Sequence, residues 1–195
     1  MSGPATTQAV ANRVGALATA IEDRVTEAVA EATGMATTST TALSALHHFL
    51  EAPSVELLRQ VLGLTHSGAV RLVDRLERDG YVERRAGPDS RTISVSITPA
   101  GRRVARRAST ARDRVVVGAL APLSTGEIAA VDRLLGRVLR GMKRGDGATS
   151  WICRRCHTDV CGVERGECPL ADERFSIAEG LRAVEAAIAD RLEPR

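Results

Sequence analysis

The sequence predicts a mainly α-helical fold with one small β-hairpin. Three observations lead there. Aromatic residues are 2% of the 195 positions while 44% are hydrophobic, so the core is built from Leu, Val, Ile and Ala, which suits packed helices better than a sandwich or barrel. Most apolar positions recur every three or four residues, the helical period. One stretch departs from it: Ile93, Val95 and Ile97 alternate with Ser94 and Ser96, the period of a strand.

From Ala5 to Ala32 the apolar stripe Val10, Val14, Leu17, Ile21, Val25 and Val29 predicts one long amphipathic helix ended by Gly34. A long stripe near the chain start packs on its own domain or on the same helix of a second subunit. Thr40 or Thr41 is expected to cap a second helix through Leu50, with Leu43, Leu46 and Leu50 inward; Pro53-Ser54 breaks and restarts the chain. A short helix follows over Ser54 to Leu62, with Val55, Leu58 and Val61 inward, then a tight turn at Gly63-Leu64. Thr65 caps the next helix, which runs to about Asp79 with Val70, Val73 and Leu76 inward and stops at Gly80. Two short helices about a Gly-containing turn make a helix-turn-helix.

YVERRA then pairs with ISVSIT across the loop GPDSRT, where Gly87 and Pro88 suit a turn. Thr98-Pro99 opens a helix to about Leu120, with proline in its first turn. Ser124-Thr-Gly-Glu127 is a capping box, and the helix behind it is expected to bury Ile128, Val131, Leu135, Val138 and Met142. GDGATS, residues 145–150, reads as a linker, and a last helix is expected over Ala171 to Leu192. The segments that result are 1–39, an N-terminal helix; 40–98, a helix-turn-helix followed by a β-hairpin; 99–145, two further helices; and 146–195, a four-cysteine segment with a terminal helix.

Charge is unevenly spread. The net charge is +3, yet residues 71–114 hold 12 Arg against 6 acids, whereas residues 1–70 sum to −3 and 115–195 are neutral. A basic centre between acidic and neutral flanks suggests a polyanionic partner. A secretory leader and an apolar run of membrane-spanning length are both absent from the sequence pattern, so a cytoplasmic protein without a membrane partner is expected.

A helix of about 15 residues fits the major groove and presents its N-terminal residues to base edges. Those positions are Thr65, His66, Ser67, Gly68 and Ala69, all but the histidine small. Arg71 and Arg75, one turn apart, can reach a guanine edge or a phosphate. Arg84 and Arg85 enter the hairpin, one expected at phosphate and the other in solvent. At its tip Arg91 can enter the minor groove, with Asp89 holding the guanidinium or bracing the loop. Arg102, Arg103, Arg106 and Arg107 form an exposed basic helix face. His66 is a candidate contact; His47 and His48 are expected near the core or a subunit boundary.

The run LGLTHSGAVRLVDRLERDGYVERRAGPDSRTISVSITPAGRR resembles the winged helix-turn-helix of the MarR family of bacterial transcriptional regulators. The resemblance rests on Val70, Arg71, Leu72, Val73, Asp74, Arg75, Leu76, Glu77 and Gly80, then Val82 and Arg84, then Asp89 and Arg91, then Ile97-Thr98-Pro99-Ala100-Gly101. Ala69 stands where Ser is frequent and Tyr81 where Leu is usual. It implies a homodimer that reads a pseudo-palindromic double-stranded operator with recognition helices about 34 Å apart. The helices at Val10–Val29 and Ile128–Met142 are the natural dimer elements. It implies no catalytic residue. A repressor is the expected mode, with a small-molecule effector or redox event shifting the dimer to a state of wrong helix spacing.

All four cysteines lie within 16 residues, as Cys153, Cys156, Cys161 and Cys168, outside the run that carries the resemblance. C-x2-C grips one metal edge and the second pair closes a tetrahedron. Four thiolates suit Zn(II), and clustered thiols in a reducing compartment favour metal over disulfides. Asp159, Gly162 and Gly166 can turn the chain, and Arg154 and Arg155 offset the negative charge. His157 ranks below the four cysteines because adjacent ligands strain the geometry. Three alternatives remain: an iron–sulfur cluster, which Cys168-Pro169 also suits; a redox thiol switch; and a thiol oxidoreductase at Cys153-Arg-Arg-Cys156, which lacks the surrounding βαβ pattern. A protein-recruitment module is a further rival. The metal is expected to fix how the terminal helix docks, and so to tune operator affinity.

Overall fold

The computed structural model describes residues 6–86, 93–142, 152–162 and 165–170. Its elements are α1 (Thr7–Thr33), α2 (Thr37–His48), α3 (Val55–Leu62), α4 (His66–Arg78), β1 (Val82–Ala86), β2 (Ile93–Ile97), α5 (Pro99–Leu120) and α6 (Thr125–Gly141). The expected terminal helix at 171–192 lies outside the described residues.

Local chemistry sets most boundaries. Thr6, Ser54, Thr65 and Thr98 each accept a backbone N–H with their side chains at the starts of α1, α3, α4 and α5, which satisfies donors that the first turn leaves unpaired. Pro99 occupies the first turn of α5. The Glu127 carboxylate accepts from the Ser124 N–H at 2.9 Å and from its hydroxyl at 2.7 Å, completing the capping box. Gly34 and Gly63 end α1 and α3 at φ 67° and 65°, a region that favours glycine.

The helix-turn-helix core is closed by Leu43, Leu58, Val73, Leu76 and Val95, all essentially unexposed. A smaller cluster joins Val25 and Val29 of α1 to Ala108 and Ala111 of α5. The antiparallel register of the hairpin runs Val82–Ile97, Glu83–Ser96, Arg84–Val95, Arg85–Ser94 and Ala86–Ile93. Outside the hairpin, Ser54 bridges Ser94, and the Val95 N–H donates to Pro53 O at 2.9 Å.

Four expectations need correction. The second helix begins at Thr37, not Thr40 or Thr41; Thr40 and Thr41 are buried inside it, where the Thr40 hydroxyl donates to Thr37 O at 3.0 Å. Leu57, rather than Val55, lies fully inside α3, and Ala69 and Leu72, rather than Val70, do so in α4. Ile93 is exposed and Ser94 buried, because Ser94 is the residue that pairs with Ser54 and its hydroxyl donates to Arg85 O. Finally, α6 does not bury its apolar stripe: Ile128, Leu135, Val138 and Met142 are exposed, and Gly136 is its one fully buried residue. Among the described residues no single helix is long and apolar enough to cross a membrane.

Candidate nucleic-acid interface

By burying Ala69, Leu72, Val73 and Leu76, α4 turns Ser67, Arg71, Arg75 and Arg78 together to solvent. This follows from helical geometry, since positions four apart share a face. The start of the helix is fixed by Thr65, whose Oγ1 accepts the Gly68 N–H at 3.1 Å and lies 3.4 Å from Ser67 Oγ. The result is a helix entry of Thr65, His66, Ser67 and Gly68, small but for the histidine, with arginines behind it. Ala69 faces the core with no exposure, so it makes no base or phosphate contact, and its replacement of a more usual serine concerns packing.

The preceding turn is held by Arg59. Its guanidinium bonds the Glu56 carboxylate at 2.6–2.9 Å and donates to Leu64 O at 3.2 Å. The Arg59 hydrogen bond holds the Glu56 carboxyl below its usual value against the opposing effect of burial. Exposed His66 lies 3.8 Å from the same carboxylate.

Arg84, expected as a candidate phosphate contact, has partners within its own chain. Its guanidinium binds Glu77 and, at 2.5 Å, Asp74, while its backbone N–H donates to Glu77 Oε1 at 3.0 Å. These bonds brace the first strand of the wing against the recognition helix. They also occupy the two acids within α4, which leaves Arg71 and Arg75 without an ion-pair partner among the described residues. The sequence carried a signal for the brace in the i,i+3 spacing of Asp74 and Glu77 on one helix face. Arg85 is the solvent-facing member of the pair and binds Glu83. Asp89 and Arg91 lie outside the described residues.

If Arg84 is a brace, Arg84→Ala lowers unfolding free energy by about 1–2 kcal/mol, the scale of hydrogen bonds to charged groups reduced for partial exposure. The salt dependence of duplex binding stays unchanged. A phosphate contact would instead reduce the log–log salt slope by about 1. Chemical denaturation and a salt series on the same variant separate the two.

The cysteine segment is a second candidate site. The Cys153 and Cys156 side chains are hydrogen-bonded, and Cys156, Cys168 and Cys161 all act electrostatically on Cys153. That bond, with burial and the neighbouring thiols, pushes the Cys153 thiol up; the same bond pulls Cys156 down to about 6, helped by Arg112 and opposed by burial and Asp113. The sulfurs are thus grouped, but among the described residues no three His, Cys, Asp or Glu side chains form a cluster that could hold a metal ion. Electrostatic reach extends farther than a coordination bond, so the two findings are compatible. Donor chemistry fits zinc; the grouping is not a closed tetrahedron. Gly162 and Gly166 do turn the chain, at φ 67° and 70°.

The segment is anchored to both halves of the fold through residues that the spacing did not single out. Arg155 donates to Thr41 of α2 at 2.9 Å and to Glu22 of α1 at 3.0 Å. His157 lies 3.5 Å from Asp113 of α5 and packs its ring 4.3 Å from that of His48, which itself bonds Ser109 at 3.1 Å. His157 Nε2 is buried with no hydrogen-bond partner among the described residues. It packs between α2 and α5. Pro169 packs against Gly136 of α6, where an added Cβ would come within 3.2 Å.

Comparison with known proteins agrees with this architecture. Residues 33–91 match the sequence family described as the MarR family. No protein of curated function matches the sequence. The fold is similar to a MarR family protein from Bacillus stearothermophilus, at a TM-score of 0.64 and 23% identity over 72% of this chain and 100% of that one. It is also similar to RV1404 from Mycobacterium tuberculosis, at 0.63 and 18% over 72% and 97%. A MepR variant from Staphylococcus aureus, bound to an oligodeoxyribonucleotide, matches at 0.50 and 16% over 71% and 99%. The chain thus carries a segment of MarR-family sequence, residues 33–91, within the winged-helix fold of MarR-type regulators.

Proposed function

We propose that this chain is a sequence-specific DNA-binding transcriptional regulator, acting as a repressor, whose homodimer reads a pseudo-palindromic operator. The observation that carries the reading is the outward row Arg71–Arg75 behind a capped, small-residue helix start, with both α4 acids drawn away by Arg84. Such a surface can enter a major groove, and its arginines can bind guanine edges or phosphates. The oligodeoxyribonucleotide bound to the MepR variant supports the same use of this fold.

The dimer rests on apolar surface that one chain leaves uncovered. Val10, Val14 and Leu17 on α1, and Leu134, Leu135, Val138 and Met142 on α6, are each about half exposed. Contiguous apolar patches of this kind mark association surfaces, and covering each side chain contributes up to about 1.5–3 kcal/mol. In that dimer the unburied stripe of α6 acquires its partner. Binding to promoter-region duplexes, followed across salt, tests the function: a regulator loses affinity steeply between low and moderate salt, whereas an oxidoreductase or a recruitment module shows no such duplex binding.

For the thiols, the reading is a zinc ion held by Cys153, Cys156, Cys161 and Cys168, supported by the four-thiol donor set and the mutual influence of the sulfurs. The ion would fix the loop that carries Arg155 and His157, and through them the relation of α2 to α1 and α5. An iron–sulfur cluster uses the same ligands. A thiol switch is favoured by the contact between Cys153 and Cys156: a hydroperoxide would join the two sulfurs, taking both thiol hydrogens and leaving an alcohol and water. Metal analysis with a visible spectrum of anaerobically purified protein separates the three as colourless with zinc, brown with iron, or metal-free. In the zinc case, Cys153→Ser loses the metal and weakens operator binding by about tenfold, the scale of a modest coupling between sites; unchanged affinity with an intact fold leaves the site without influence on DNA.

A further inference from the structure

The groove beside the first four turns of α5 has no part in either reading above. Its volume is about 610 Å³, the size of a pocket for a nucleotide-sized ligand. Arg103, Arg106, Arg107 and Arg114 line it, all exposed, above a floor that includes Tyr81 and buried Val104. None of the four arginines has an ion pair among the described residues, whereas Arg59, Arg84, Arg112 and Arg155 do. Arg103 stands three and four residues from Arg106 and Arg107, spacings at which like charges repel on a helix. An anionic occupant would relieve that repulsion.

Place and chemistry both point to a small occupant. The groove lies at Tyr81, just beyond the C-terminal end of α4, whereas base edges are expected at the opposite end of that 13-residue helix, about 20 Å away at 1.5 Å per residue. The exposed apolar residues assigned to the dimer lie elsewhere, on the first half of α1 and on α6. Guanidinium groups recognise phosphate through paired N–H donors, and the Tyr81–Val104 floor accepts an apolar or aromatic body.

We infer that this groove binds a small organic polyanion, an oligophosphate carried on an apolar or aromatic body. Calorimetry of the full chain at low salt, without DNA, tests it with ATP and pyrophosphate as probes. ATP is expected to bind saturably, one per chain, and more tightly than pyrophosphate. Arg103→Gln with Arg107→Gln is expected to weaken ATP by at least about tenfold, since each removes a charge-assisted contact, while Arg137→Gln on α6 changes nothing. Arg106→Gln with Arg114→Gln is a second exposed pair that keeps the test valid if the first perturbs the fold.

Absence of saturable binding by either probe overturns the inference, as does ATP affinity that ignores both double variants. Equal affinity for ATP and pyrophosphate overturns the role of the Tyr81–Val104 floor. If the double variants lose promoter-duplex affinity as strongly as Arg71→Ala does, the row serves the DNA backbone and the small-ligand assignment fails. Because binding is read without DNA, its failure leaves the operator reading standing.

Discussion

Replacing Arg71 and Arg75 together by alanine is expected to reduce operator affinity by two to three orders of magnitude or more without altering the fold. Both side chains are exposed and leave the core untouched, so the variant should unfold at the temperature of the parent. A bidentate arginine–guanine contact discriminates by about 1–3 kcal/mol, and a factor of ten corresponds to about 1.4 kcal/mol. The single variants tell the two kinds of contact apart. An arginine at a base edge, once removed, relaxes specificity at one position; an arginine at phosphate weakens all sequences alike and lowers the salt slope by about 1. Fluorescence anisotropy with operator and scrambled duplexes at several salt concentrations provides the readout.

The largest stability effect is expected from a single methyl group. A Cβ on Gly101 would lie 2.2 Å from Tyr81 O and 2.8 Å from Ile97 Cγ1. Tyr81 O already accepts the Thr98 N–H at 3.0 Å, and the Thr98 hydroxyl, donating to Gly80 O, ties the end of α4 to the start of α5. The obstacle is backbone on one side and a half-buried side chain on the other, so relief requires the first turn of α5 to move away from the wing. Gly101→Ala should therefore cost about 3 kcal/mol, the upper part of the range for overpacking, a large share of the ~5–15 kcal/mol that holds a domain. Gly118→Ala is the control. It sits in the same helix with nothing within 4 Å of the added Cβ, and should raise stability by up to about 1 kcal/mol through helix propensity. Thermal unfolding of the two variants beside the parent makes the comparison. The close approach at Gly101 also gives a physical reason for the glycine in the Thr98-Pro99-Ala100-Gly101 run.

Where structure was legible in the sequence, the cause was local. Ser54, Thr65 and Thr98 cap helices through their own side chains, Pro99 suits a first turn, and Gly34 and Gly63 adopt positive φ. The exposed arginine row of α4 was legible for the same reason, because helical spacing sets Arg71 and Arg75 on one face. What the sequence left open depended on partners distant along the chain. The Thr37–Thr41 run offers several equivalent caps, and only packing selects a start at Thr37. The stripe of α6 tells which side is apolar, not whether its own chain covers it. Ser94 is buried because Ser54, forty residues earlier, bridges it. That Asp74 and Glu77 hold the Arg84 guanidinium depends on how the hairpin folds back on α4, which spacing alone does not give. Cysteine spacing singled out four thiols, but could not show that Arg155 and His157 tie that segment to Thr41, Glu22, His48 and Asp113.

Sedimentation equilibrium of the full chain, alone and with a duplex from its own promoter region, reads subunit number and DNA capture together. Two chains in free solution, and two chains per duplex in a complex that dissociates as salt rises, is the predicted result. A single chain that sediments unchanged in the presence of the duplex at low salt would contradict the paired, groove-reading helices on which this account depends.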